Sequence, residues 1–269
     1  MGERRARRIP TELETEVLQH IADEDEGDHS RWVALVNCAL VCKAWTGHVR
    51  SHLYYAVDMS KPRGLLQFRR LREYTHLRPF LREFTWPRSR WTVSCNASDA
   101  DIIKDIAPTA TKLSFRRVHH QSLKPPWKEA MSTITNITEL DMTGSIFENW
   151  TAVVRVVSKF PLLVTLAMPS TQDDDGLDGP DGPGTSYPPP SHLIHIKLVS
   201  GCETETVSWI CRGSPIPNIQ TVEAESKIDS SALAKLLRSL GRRLHHLIIH
   251  IDSNRACSRF RLASFNRAR

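Results

Sequence analysis

Three groups of side chains in this chain have the types that chemistry needs, and each fails on spacing. The paired histidines His119-His120 and His245-His246 are metal-ligand types. Neighbours on a strand point to opposite faces, so neither pair chelates from one side. One histidine of each pair is expected on a solvent-facing surface, the other packed or at an edge. Asp173, Asp175 and Asp178 suggest a calcium loop, but the glycine at its sixth position and the glutamate at its twelfth are missing. The six cysteines, Cys38, Cys42, Cys95, Cys202, Cys211 and Cys257, include no C-x-x-C pair and no histidine at zinc spacing. Cys42 beside Lys43 has a cation next to it, yet on an apolar helix it behaves as a small hydrophobe. The phosphate loop, the dinucleotide fingerprint, the nucleophile elbow and H-E-x-x-H are all absent. No catalytic residue, no metal and no cofactor is expected.

Composition narrows the class further. The 269 residues have room for one large domain or two smaller ones. A hydrophobic content of 40% and a charged content of 25% are ordinary for a water-soluble chain. No apolar run approaches the ~20 residues that span a bilayer, and no apolar stretch follows the basic opening M-G-E-R-R-A-R-R-I-P. With no disulfide framework, the chain reads as intracellular and reduced, in cytoplasm or nucleus. Much of the net charge of +6 is assigned to the ends, Arg4, Arg5, Arg7 and Arg8 at one and Arg255, Arg259, Arg261, Arg267 and Arg269 at the other. R-R-A-R-R has the composition of an import signal, but reads first as a solvated terminus. No nucleic-acid-binding motif stands beside it, so neither nucleic acid nor membrane is expected as a partner.

The elements that could position a function come next. Pro10 can open a helix, because the amide it lacks would be unpaired there. Leu13, Val17 and Ile21 follow at four-residue steps as one apolar stripe. Leu35, Cys38, Ala39 and Cys42 repeat the pattern, and Leu40, Val41 and Trp45 make that second helix apolar over most of its circumference. A helix this apolar must be buried against something, and about 45 residues build a self-sufficient core with difficulty. The profile is that of a docking module whose partner completes the core.

This segment resembles an F-box. Ile9, Pro10, Glu12, Leu13, Val17, Leu18 and Ile21 match the first half of that motif, and Leu40, Val41, Cys42, Lys43 and Trp45 match its Leu-Val-Cys-Arg-x-Trp half. The resemblance implies that Pro10, Leu13, Val17, Leu18, Leu40, Val41 and Trp45 dock a Skp-type adaptor, which joins a cullin–RING ubiquitin ligase. Glu14 charges a position that is usually apolar in the family, and the interhelix stretch from Asp23 to Ser30 is longer and more acidic than usual.

Behind this segment a pattern recurs: apolar, x, x, apolar, x, apolar. It appears as Leu81-Phe84-Trp86, Ala110-Leu113-Phe115, Ile137-Leu140-Met142, Leu163-Leu166-Met168, Leu193-Ile196-Leu198, Ile219-Val222-Ala224 and Leu244-Leu247-Ile249. The middle residues are spaced by 29, 27, 26, 30, 26 and 25 residues, near the ~20–29 of leucine-rich repeats. Helical stripes fill the intervals, Trp150-Val153-Val154-Val157 and Leu233-Leu236-Leu237-Leu240 among them. One such unit cannot bury its own apolar face, so neighbours must stack. The units resemble the irregular leucine-rich repeats found behind F-boxes, as in fungal F-box proteins. The asparagine that commonly follows the strand is replaced by Ser145, Thr171, Gly201 and Lys227, so backbone groups in those turns need other partners.

The expected organisation is α/β. A basic disordered start spans 1–8, an F-box-like helical module 9–57, and a leucine-rich-repeat-like solenoid of short parallel strands and helices 65–251. A Pro/Gly/Asp-rich disordered insertion covers 170–191, and a basic irregular tail 252–269. The tail loses the repeat without a polar cap, as in a shortened member of a longer architecture. The function implied by the resemblance is a non-catalytic substrate receptor of an SCF-type ligase. A target protein of unknown identity would sit on solvent-facing strand positions. The candidates are Arg82, Thr85, Arg116, Glu139, Asp141, Thr165, His195, Lys197, Thr221, Glu223, His246 and His250. The alternative is a leucine-rich-repeat scaffold whose N-terminal helices only cap the repeats.

Overall fold

The computed structural model describes residues 16–21, 28–41, 43–86, 97–106, 108–115, 118–169, 187–199, 201–213, 215–225, 227–250 and 259–261. Pro10, Leu13, Glu14, Cys42 and Arg116 lie outside them. Three helices come first: α1 (16–21), α2 (Asp28–Val41) and α3 (Lys43–Tyr54). Strands and helices then alternate as β1 (Ala56–Asp58), α4 (Pro62–Glu73), β2 (Glu83–Trp86), α5 (Ala97–Ile106), β3 (Lys112–Phe115) and α6 (Pro125–Thr133). They continue as β4 (Glu139–Asp141), α7 (Trp150–Val157), β5 (Thr165–Ala167), β6 (His195–Leu198), α8 (Glu203–Arg212), β7 (Thr221–Glu225), α9 (Ser230–Leu240), β8 (His246–His250) and β9 (Arg259–Arg261).

The sheet follows chain order, β1 to β9. Its first eight strands are parallel, and β9 pairs antiparallel with β8. Parallel neighbours need a crossover between them, which the intervening helices supply. One row of cross-strand partners runs Val57, Phe84, Leu113, Leu140, Leu166, Ile196, Val222 and Leu247. Seven of these are the middle residues of the sequence pattern. The row is buried from Val57 to Val222, together with Phe68, Ile103, Trp127, Val153, Ile210 and Leu236 from the helices. The helices therefore cover one face of the sheet and leave the other open. The chain is an α/β solenoid of leucine-rich-repeat type.

Local chemistry explains the helix ends. Asn149 Oδ1 accepts from the Ala152 amide at 2.9 Å and starts α7. Asp229 does the same for the Ser231 amide at 2.9 Å before α9, and Gly241 closes that helix with φ +51°. The missing asparagines have substitutes. Ser145 is buried and its Oγ donates to the Phe115 carbonyl of the preceding rung at 2.8 Å. Cys202, one residue past the expected position, is buried and its Sγ donates to the Pro169 carbonyl at 2.9 Å. Each ties a turn to the repeat before it, which is how a buried backbone oxygen avoids going unpaired.

Four expectations are corrected. The sheet starts one rung early: Tyr54, Val57 and Met59 carry the same pattern and are buried, so the end of the supposed helical module is already repeat. The second helix does not run through to Trp45; α2 stops at Val41 and α3 begins at Lys43. The insertion does not extend to Ser191, because Pro189 and Pro190 are buried and the Tyr187 carbonyl accepts from Trp209 Nε1 at 2.7 Å. The tail holds a strand, β9, that lies on the outer edge of β8.

Candidate functional site

The helical module has its own small core of Leu18, Leu35, Trp45 and Val49. Leu53 packs against both this core and the repeat core. The predicted docking residues separate into two groups here. Leu18 and Trp45 are buried and build the module. Trp45 turns inward because it sits past the break, in the first turn of α3. Val17, Leu40 and Val41 are 45%, 80% and 67% exposed. Among the described residues nothing covers these three apolar side chains.

Further contacts among the described residues join the module to the first repeat. Helix α3 runs almost directly into β1. The Arg63 guanidinium of α4 lies over the Trp32 ring of α2, 5.0 Å from its centroid. Gln67 Nε2 donates to the Leu53 carbonyl at 3.0 Å.

The open face of the sheet presents registered columns. One runs Glu83, Lys112, Glu139, Thr165, His195, Thr221 and His246. The next runs Asp58, Thr85, Ser114, Asp141, Ala167, Lys197, Glu223 and Ile248. On the early rungs Lys112 Nζ reaches Glu83 Oε1 at 3.4 Å and Glu139 Oε2 at 3.5 Å. Burial works against the Lys112 charge, but the two carboxylates outweigh it and hold the ammonium above its ordinary pKa. Asp141 Oδ1 accepts from the Thr143 amide at 2.9 Å and its hydroxyl at 2.6 Å. Asp58 does the same with Ser60. Both aspartates thus turn the chain out of the sheet while presenting charge on it.

On the late rungs Glu223 is a hub. Its Oε1 lies 2.7 Å from Lys197 Nζ and 2.8 Å from His250 Nε2. His195 Nε2 is 3.7 Å from Glu223 Oε2, beyond hydrogen-bond reach, and this buried nitrogen has no hydrogen-bond partner among the described residues. Burial pushes the Glu223 carboxyl up, but its bonds to Lys197 and His250 win and hold it below the ordinary range. His246 is exposed, its ring 6.5 Å from that of His245.

The sheet thus brings together Glu139, Asp141, His195, Lys197, Glu223 and His246 on one face. Arg82 is not among them. It precedes β2, and its Nη1 donates to the carbonyls of Pro79 at 2.7 Å, Leu81 at 3.0 Å and Thr109 at 3.3 Å. It staples the turn between two rungs. Glu83, Lys112 and Asp58 are the face residues that sequence reasoning missed. Glu83 and Lys112 stand in register with Glu139, so aligning the triplets finds them; Asp58 belongs to the first rung, which the triplets do not include.

Burial pushes the Cys202 thiol up to about 12, far from a thiolate. Among the described residues no group of His, Cys, Asp and Glu could hold a metal ion, and no helix is long and apolar enough to cross a membrane.

No protein-family model matches the chain, and no curated protein matches it. Eleven solved chains are similar to it. One is the leucine-rich repeat-containing protein LegL7 from Legionella pneumophila, 12% identical over 68% of this chain with a TM-score of 0.40. The chain spans 59% of that protein's length. The leucine-rich-repeat-like architecture rests on the chain's own strand register.

Proposed function

We propose that the chain is a non-catalytic receptor that couples a target protein to a Skp-type adaptor and, through it, to a cullin–RING ubiquitin ligase. One observation carries the docking half. Leu40 and Val41 stand exposed at the end of α2, while Leu35, Cys38, Ala39 and Trp45 pack inward. Together with Val17, and with Pro10 and Leu13 by resemblance, they form the adaptor-binding set. Leu18 and Trp45 support it from beneath. The open face, with Glu139, Asp141, His195, Lys197, Glu223 and His246, holds the target. The gain is proximity, because a tethered lysine meets the activated thioester at high effective concentration.

The test is co-purification with a Skp-type adaptor. Wild-type protein is expected to retain the adaptor, and Leu40→Asp with Val41→Asp to lose it while unfolding at the same temperature. Folded wild-type protein that ignores the adaptor at micromolar concentration would sink this reading. A second reading, a leucine-rich-repeat scaffold with a helical cap, is favoured by the Arg63–Trp32 and Gln67–Leu53 contacts that seat the helices on the first repeat. It predicts no adaptor binding, with the open face still holding its partner.

A further inference from the structure

One ring nitrogen on the open face is buried without a bond. His195 Nε2 is closed off from water and has no hydrogen-bond partner among the described residues. An orphan of this kind costs stability, and buried polar atoms are nearly always bonded. A carboxylate oxygen faces it from the next strand, Glu223 Oε2 on β7, at 3.7 Å.

We propose that His195 is a proton-operated latch on Glu223, open while the ring is neutral and closed when it is charged. The latch needs nothing from the ligase reading. Only its consequence for a target rests on the open face as the holding surface.

Three observations carry it. First, the two oxygens of Glu223 are unequally used. Oε1 lies 2.7 Å from Lys197 Nζ and 2.8 Å from His250 Nε2. Oε2 has His195 Nε2 beside it, too far for a hydrogen bond. A neutral ring with its proton on Nδ1 offers the carboxylate a lone pair there, and two acceptors stand apart. A second proton turns Nε2 into a donor, and a shift of about 1 Å then makes a charge-assisted bond. Second, His250 shows the closed arrangement on the same carboxylate. Its Nε2 is within bonding distance of Oε1, so that nitrogen carries a proton. Third, Glu223 stays ionised where histidines titrate. Burial pushes its carboxyl up, but Lys197 and His250 outweigh burial and hold it below the ordinary range. Histidine changes charge higher, between about pH 5 and 8, so the ring alone works the latch.

The neighbouring strands add little to this pair. Strand β5 presents Thr165 and Ala167 beside His195 and Lys197, with no charge. On β6 itself Lys197 opposes a positive ring, but its ammonium is engaged with Glu223 Oε1. Strand β7 also carries Thr221 and Glu225, and β8 carries His246, in register with Thr221, and His250, in register with Glu225. Strand β9 places Arg259 opposite His250 and Arg261 opposite Ile248. Among the described residues, Glu223 is the group within ion-pair distance of the His195 ring.

Closing the latch changes the late rungs in two ways. It adds a positive charge at β6, and it occupies the Glu223 oxygen that Lys197 and His250 leave aside. A target that brings basic side chains to these rungs is then held less tightly as pH falls.

The test is a double-mutant cycle on the full-length chain, with His195→Phe, Glu223→Gln and both together. Each is unfolded in urea at about pH 7.5 and about pH 5.5, across the histidine range. The pair should couple about fivefold in the folding equilibrium at the lower pH and less than about twofold at the higher. Stability from such a bond exists while the ring is charged and is lost as pH rises. Equal coupling at both values, or none at the lower one, overturns the proposal. Should His195→Phe fold poorly, nitrogen NMR of labelled histidine in the wild-type chain reads the same event. It should show a proton on His195 Nε2 at the lower pH and none at the higher. A proton there at both values, or at neither, also overturns the latch. Neither measurement uses adaptor or target, so its failure leaves the ligase reading untouched.

Discussion

The helical module and the repeat sheet are built from similarly apolar sequence and reach opposite ends. In the repeats each apolar position meets the same position of the next rung, so one row from Val57 to Val222 is closed off from water. In the module four side chains share a core, and Leu40 and Val41 remain outside it. Stacking supplies a partner for every face except at the ends. Three short helices have no such repetition and leave surface for something else to cover.

The strongest way to break this comparison is at the first rung of the sheet, where α4 sits on β1. Gly64→Ala places a methyl against the Asp58 carbonyl, a backbone atom that cannot step aside. The expected loss is about 3 kcal/mol or more in urea unfolding, and a change under about 1 kcal/mol would show that α4 gives way on β1 easily. Next comes Trp45→Ala, which empties the module core at a cost of about 3 kcal/mol. Amide exchange should then lose protection in 28–54 while β2 to β8 keep theirs. Simultaneous loss throughout would mean that module and sheet are one cooperative unit.

Smaller effects sharpen the repeat side. Ser145→Ala leaves the Phe115 carbonyl without its donor and should cost about 1–2 kcal/mol, with Ser145→Asn recovering part of it. Glu223→Gln should cost about 1 kcal/mol at neutral pH, its partners being partly solvated. The sign with pH follows from a carboxyl held below its ordinary value of 4.5. Its contribution is complete above 4.5 and is lost as pH falls through the lower folded value. The wild-type and Glu223→Gln unfolding midpoints should therefore converge in acid; a gap that persists there would rule out the charge as its origin. Least of all, Leu40→Asp and Val41→Asp should move stability by less than about 0.5 kcal/mol, because both side chains already face water.

Sequence was most informative where packing is periodic. Phe84, Leu113, Leu140, Leu166, Ile196, Val222 and Leu247 could be placed in one row because each must meet its neighbour's equivalent. The first rung escaped notice because Tyr54 and Val57 continue an apolar helix in the sequence, and only the sheet distinguishes them. The strand β9 is three residues long and antiparallel, so it adds nothing to a parallel repeat. In the module, helical spacing showed which residues were apolar, but not which of Leu18 and Leu40 would meet a core. That depends on the break between α2 and α3, which no proline or glycine announces. Arg82 lies between Leu81 and Phe84 of the pattern and so reads as a solvent-facing strand position, whereas the three carbonyls it binds come from turns that sequence does not place.

The tight seat of α4 on β1 at Gly64, with Gln67 bonded to α3, makes the sheet a ruler. With α3, α4 and β1 clamped together, anything gripped by the helices stands at a set angle to the first strand. Each further strand then carries a guest about 4.8 Å farther away. A guest resting on β7 would lie about 30 Å along the sheet from β1, and one resting on β3 only about 10 Å. Which strands a guest chooses would therefore decide which part of it faces whatever the helices hold.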